Sequence, residues 1–203
     1  MRTEVGDTDG ILEVLACGDD WVEIAIWNPD GSRAEMSGNG TRIAARWLAE
    51  RTGAERVTVR VGGREVRATM LDGPLVEQDL GPVAVSSPEE AAGVRFTAVD
   101  VGNPHAVVEG DPAELPRIGP LLEAHERFPE RTNVQVAQWT GDEIVARVWE
   151  RGAGETASSG SSAVAVAAAL GAGAVTVRFP GGPLDVRIED GRAFLTGPAV
   201  RVS

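Results

Sequence analysis

Residues 22–28 read VEIAIWN and residues 144–150 read IVARVWE, two β-rich stretches that each close on a Trp and a polar residue. Working outward from this pair, the chain repeats itself. Ser37-Gly38 stands nine residues beyond Asn28, and Ser159-Gly160 stands nine beyond Glu150, so both landmarks recur at a spacing of 122 residues. A helical stretch follows each Ser-Gly, Thr41 to Glu50 in one case and Ala163 to Leu170 in the other. VTVR then appears at 57–60, ahead of Gly62-Gly63 and Val66-Arg67, and again at 175–178, ahead of Gly181-Gly182 and Val186-Arg187. Paired glycines supply the positive φ that tight hairpin turns need.

Two copies of strand, Gly-rich turn, helix and β-hairpin predict an α+β protein of two pseudo-symmetric halves with mixed sheet. Residues 80–95 read as the connection, with Pro82, Pro88 and the run SSPEE suggesting a helix N-terminus at Ser86-Ser87-Pro88. The halves are therefore expected at 1–92 and 93–203. A single unrepeated domain is the simpler alternative.

Composition narrows the chemistry. All 19 basic residues are arginine. A Schiff base with pyridoxal phosphate or a carbonyl substrate needs a lysine amine, and so does a phosphate-cradling P-loop, so both are excluded. A net charge of −12 without any basic run argues against nucleic acid as a partner. Cys17 is the single cysteine, and the two histidines, His105 and His125, are well separated, so no metal site is expected. Glu4, Asp7, Asp9 and Glu13 stand where a signal peptide would be apolar. The weakly polar run from Ala163 to Val175 is too short to span a bilayer. A cytoplasmic protein with no membrane partner is the expectation.

Asn28-Pro29-Asp30-Gly31-Ser32 is a turn by composition, after which Ser37-Gly38-Asn39-Gly40 opens one helix; Ser158-Ser159-Gly160-Ser161-Ser162 opens the other. Serine is a common N-cap, which accounts for either turn alone. It leaves the matched Trp-polar pair at equal distance from both turns without a reason. A Gly-rich helix N-terminus presents free N–H groups and the positive end of the helix dipole, which together make an anion site. Two such ends facing each other would grip one carboxylate and stabilise charge developing on the adjacent carbon. The side chains heading the helices would then flank that carbon, one as base and one as acid.

The residues resemble a known family. NPDGSRAEMSGNGTR at 28–42, GNPH at 102–105, FPERTNV at 128–134 and ERGAGETASSGSS at 150–162 are similar to the signatures of cofactor-independent diaminopimelate epimerases. TDGIL at 8–12 and GGPLDVRIEDGRAFLTGPAVRV at 181–202 extend the resemblance over nearly the whole chain. It implies two halves of mixed β-sheet, each wrapped around a central helix, with the last strand returning to the N-terminal half. It implies a small-molecule substrate, with LL- and meso-diaminopimelate interconverted without cofactor or metal on the way to lysine and peptidoglycan. By position, Ser37 and Ser159 take the acid/base roles, and His105 and Glu150 orient or assist them. Asn28, Asn103 and Asn133 hold the substrate's polar ends, with Glu150 and Arg151 at the distal one. Gly38, Asn39, Gly160 and Ser161 contact the reacting carboxylate. His105 reads equally as a hydrogen-bonded turn residue.

Two departures accompany the resemblance. The family's signature has Cys-Gly at both turns, where this chain has Ser-Gly. A cysteine thiol titrates near ~8.5 and falls further at a helix N-terminus. A hydroxyl is a much weaker acid, and a helix dipole worth at most ~2 kcal/mol does not make an alkoxide at neutral pH. A second base, His105 or Glu150, is then needed. The family also begins with several dozen further residues, so the first half is expected to lack strands and leave an open edge, which a homodimer would cover. Two alternatives stay open: a non-catalytic amino-acid-binding relative, and a related isomerase of the hydroxyproline or phenazine-pathway type.

Overall fold

The computed structural model describes residues 10–28, 31–34 and 36–201. Pro29 and Asp30 of the first turn, Thr8 and Asp9 of TDGIL, and the acidic Glu4 and Asp7 lie outside the described residues. The chain opens with a hairpin, β1 (Ile11–Cys17) and β2 (Trp21–Trp27), then the short β3 (Arg33–Ala34) and helix α1 (Gly38–Thr52). The hairpin β4 (Arg56–Val61) and β5 (Arg64–Met70) leads to β6 (Leu75–Pro82). Three strands follow, β7 (Ala84–Ala91), β8 (Val94–Asp100) and β9 (Pro104–Glu109), and then α2 (Leu115–Glu123). The last third holds β10 (Asn133–Thr140), β11 (Glu143–Glu150), β12 (Gly154–Thr156), α3 (Gly160–Ala169), β13 (Ala174–Phe179), β14 (Gly182–Glu189) and β15 (Arg192–Pro198).

The repeat is visible in the ladder. β1-β2-β3-α1-β4-β5-β6 and β10-β11-β12-α3-β13-β14-β15 share element types, order and pairing. In each, the second strand pairs antiparallel with the first and with the short third, then parallel with the strand after the helix. The two sets join where β15 pairs antiparallel with β6. One continuous mixed sheet results, in the order β1-β2-β4-β5-β6-β15-β14-β13-β11-β10-β9-β8-β7. The α+β class is therefore as expected.

The helices are built for different surroundings. The sequence of α3, GSSAVAVAAA, has small or apolar residues on every side, and Gly160 through Ala167 are all buried. Such a helix is stable only when enclosed, and seven strands, β8 to β11 and β13 to β15, pack around it. Burying Val164 and Val166 completely contributes ~1.5–3 kcal/mol each. Helix α1 is amphipathic: Ala44, Ala45 and Leu48 face β2, β4, β5 and β6, while Ile43 and Trp47 remain exposed. Gly53, at φ 77°, ends it in the left-handed region, with its N–H on the Ala49 carbonyl.

Both helices begin earlier than their sequences suggest, at Gly38 and Gly160, because the Ser-Gly pairs themselves start the first turn. Residues 80–95 correct the reading as a connection with a helix start. Ser86, Ser87 and Pro88 lie in strand β7, which pairs with β8 at the end of the sheet. The register shifts between Val85 and Pro88, and an edge strand with such an irregularity tolerates a proline that has no N–H to give. Helix α2 is an addition to the elements expected from sequence. Its Leu115, Ile118 and Leu122 bury against a second core cluster with Phe96, Phe128, Val134 and Val136. Among the described residues no helix is long and apolar enough to cross a membrane.

Candidate active site

Ser37 and Ser159 head α1 and α3 with nearly identical backbone angles, φ −143° and ψ 121° against φ −144° and ψ 124°. The Ser37 hydroxyl accepts from the Gly40 amide at 3.1 Å, an ordinary N-cap. Ser159, which is buried, makes no such bond. The two helix starts meet: a Cβ on Gly38 would stand 3.0 Å from the Gly160 Cα and 3.3 Å from the Ser161 nitrogen. Only glycine at both positions permits that approach.

Side chains fasten this junction. Asn39 Nδ2 donates to the Ser158 carbonyl at 3.1 Å, and Arg42 Nη2 donates to Asn39 Oδ1 at 3.0 Å. Buried Gln78 on β6, oriented to satisfy both ends of its amide, donates to the Gly38 carbonyl at 2.9 Å and accepts from the Arg42 amide at 3.0 Å. On the other side, the Gly181 amide at the β13–β14 turn donates to the Ala157 carbonyl at 2.7 Å.

Beside the junction lies a cavity of about 300 Å³ that gathers Asn28, Asn103, Asn133, Glu150 and Arg151. These come from the end of β2, the turn before β9, the start of β10 and the end of β11. Ser37 and Ser159 are not on its wall; Met36, next to Ser37, is. The polar side chains are held in place. Asn28 Nδ2 donates to the Ser32 hydroxyl at 3.0 Å. Asn133 Nδ2 donates to the Pro104 carbonyl and its Oδ1 accepts from the Arg151 amide, both at 3.0 Å. Glu150 Oε1 accepts from the Thr156 hydroxyl at 2.5 Å, and Arg151 Nη1 donates to the Glu130 carbonyl at 3.3 Å.

His105 is fully enclosed behind Asn103, 1% exposed. Gln135 Nε2 donates to its Nδ1 at 2.9 Å, which assigns the proton to Nε2, 2.9 Å from Asn103 Oδ1. Burial pushes its pKa down to about 3, and the positive charge of Arg151 adds to the shift. The ring is neutral, with its one lone pair engaged. Both ring nitrogens of His105 are engaged, by Gln135 and Asn103.

A family model described as diaminopimelate epimerase matches residues 2–85 and 97–202. The chain belongs to the diaminopimelate epimerase family. A curated diaminopimelate epimerase from Synechococcus elongatus is 38% identical, over 96% of this chain and 81% of that protein. One from Pelotomaculum thermopropionicum is 37% identical, over the same shares. Among solved structures, a hydroxyproline epimerase from Agrobacterium vitis superposes with a TM-score of 0.73 at 17% identity, covering 96% of this chain and 73% of that one. A phenazine biosynthesis family protein from Enterococcus faecalis gives 0.71 at 13%, with 96% and 81% covered. At these identities the structural matches speak for the fold alone.

Family membership does not single out the residues that sequence reasoning passes over. Arg42 and Thr156 lie inside the quoted motifs, and their burial or bonding is the missing signal. Glu123, on α2, accepts from Trp149 Nε1 at 2.8 Å and from the Gly152 amide at 2.8 Å, and so frames the Glu150-Arg151 corner. No sequence pattern points to it.

Proposed function

We infer that the chain is an amino-acid epimerase that interconverts LL- and meso-diaminopimelate by moving the α-proton between two faces. The observation that carries this reading is the meeting of two matched helix N-termini, each headed by a hydroxyl, beside a cavity lined by three asparagines, a glutamate and two arginines. In this reading the amides of Gly38, Asn39, Gly160 and Ser161 hold the reacting carboxylate, with the helix dipoles stabilising negative charge that develops next to it. Ser37 and Ser159 flank the α-carbon as acid and base. Asn28, Asn103, Asn133, Glu150 and Arg151 read the distal amino-acid end, where carboxylate and ammonium need a cation, an anion and neutral amides together. His105 acts by orienting Asn103: it occupies Oδ1 and leaves Nδ2 for the ligand.

The same reading includes a cytoplasmic location and a homodimer. Exposed Ile11, Val14 and Leu15 on the edge strand β1 support a second copy there. It divides the chain into an N-terminal and a C-terminal half, 1–92 and 93–203. The pairing of β7 with β8 argues for moving that boundary back to Val83.

A second reading has its own support. Among the described residues no carboxylate or imidazole bonds either hydroxyl, and Ser37 is engaged by the Gly40 amide. A hydroxyl so placed is a poor base, and the site would then bind its amino acid without turnover. Incubation with LL-diaminopimelate in D₂O, followed by NMR, separates the readings. Exchange of the α-proton with epimerisation is the expected result. Saturable binding without exchange selects the second reading, and exchange of hydroxyproline alone selects a relative of the hydroxyproline type.

A further inference from the structure

Arg42 sits in the second turn of α1 and is buried, 5% exposed. Its Nε donates to the Pro198 carbonyl at 3.0 Å and its Nη2 to Asn39 Oδ1 at 3.0 Å, while Nη1, also buried, has no hydrogen-bond partner. No carboxylate among the described residues pairs with it. Burial alone lowers its pKa, to about 10, so it stays charged at neutral pH. Space is kept for the guanidinium: a Cβ on Gly197 would stand 3.2 Å from Arg42 Cζ.

A buried cation without a counter-ion is a poor choice for stability, because an apolar side chain of similar volume fills the same space without desolvating a charge. What the position offers is proximity to the helix junction. Arg42 holds Asn39, Asn39 holds the Ser158 carbonyl, and Ser158 precedes the serine that heads α3. The charge thus lies behind the place where two sets of helix amides face one another.

We propose that Arg42 is a positioning residue for the epimerisation, tethering the start of α3 through Asn39 and Ser158 and lending its uncompensated charge to the carboxylate held between the two helices. The inference rests on the reading of the site given above. A bound carboxylate supplies the counter-charge that no described residue provides, so the cation strengthens binding. The tether sets where the two hydroxyls stand, so it governs the proton-transfer step.

The test compares wild type with Arg42→Gln and Arg42→Lys, reading α-proton exchange of LL-diaminopimelate in D₂O against substrate concentration, together with the thermal midpoint. Calorimetric Kd for the same ligand reads the contrast wherever exchange is slow. Arg42→Gln is expected to lower kcat/KM, or raise Kd, about tenfold, the effect of one charge-assisted interaction. Arg42→Lys restores the charge without the planar fork that reaches two oxygens. Its KM or Kd should return near the wild-type value while kcat stays low. A folded Arg42→Gln protein with wild-type exchange and affinity overturns the proposal, as do losses that merely track the unfolded fraction. If Arg42→Gln does not fold, Arg42→Lys decides: wild-type values in both parameters sink the idea. A wild-type protein that neither binds nor exchanges the ligand overturns the reading of the site and this inference with it.

Discussion

Gly38 and Gly160 leave no room for a side chain between them: a methyl on Gly160 would stand 3.1 Å from the Gly38 Cα and 2.7 Å from Leu195 Cδ2. Two helices are thereby brought tip to tip. Gly160→Ala is expected to push them apart, costing ~1–3 kcal/mol of stability through overpacking and abolishing diaminopimelate binding. Thermal denaturation and calorimetry read both quantities, and a Gly160→Ala protein that melts and binds like wild type would show that the close approach is dispensable.

Replacing both hydroxyls by thiols tests the chemistry at the helix tips. Ser37→Cys with Ser159→Cys provides groups titrating near ~8.5, low enough to be both base and acid near neutrality. The double variant should exchange the α-proton at least ~10²-fold faster than wild type, the lower end of what positioned proton transfer contributes. A folded double variant without any gain means that positions 37 and 159 do not flank the reacting carbon.

His105 carries a pH dependence of stability with a definite sign. Its folded pKa of about 3 lies below the ordinary 6.5, so the unfolded chain takes up the proton first as pH falls. The stability linked to its neutral form is complete above pH 6.5 and is lost as pH drops toward 3. Urea unfolding at pH 7.5 and pH 5 should show wild type losing more than His105→Asn, by up to ~1.4 kcal/mol per pH unit below 6.5. Equal losses in the two proteins would contradict the assignment of a buried neutral ring.

Glu123 frames the distal corner from outside the cavity. Glu123→Ala leaves the Trp149 indole N–H and the Gly152 amide without their acceptor, at a cost of ~1–3 kcal/mol if neither finds water. Binding of diaminopimelate should weaken several-fold as Arg151 loses its setting. A variant that loses stability while keeping wild-type affinity would limit Glu123 to a structural role.

The sequence is most readable where geometry is local. Ser37 and Ser159 announce helix starts because an N-cap needs only the next three residues, and Gly62-Gly63 and Gly181-Gly182 announce hairpins for the same reason. Asn28, Asn103, Asn133, Glu150 and Arg151 on the cavity wall are legible through family motifs, although they come from four separate segments. Ser86-Ser87-Pro88 misleads because the local signal for a helix start is overruled by pairing with β8, a partner that no short window contains. Helix α2 escapes notice because its apolar face is judged only against Phe96 and Phe128. That Gln135 and Asn103 take up both ring nitrogens of His105 is likewise a contact that spacing does not reveal.

Sheet order and synthesis order run against each other at β15. The strand that zips onto β6 is β15, which lies more than a hundred residues further along the chain, so β6 waits through that much translation with one flank unpaired. The N-terminal repeat can fold early but is not sealed until β15 has been made, and until then the nascent protein carries an exposed ladder edge. The burden of this topology falls on the nascent chain, whose open edge invites mispairing until β15 arrives.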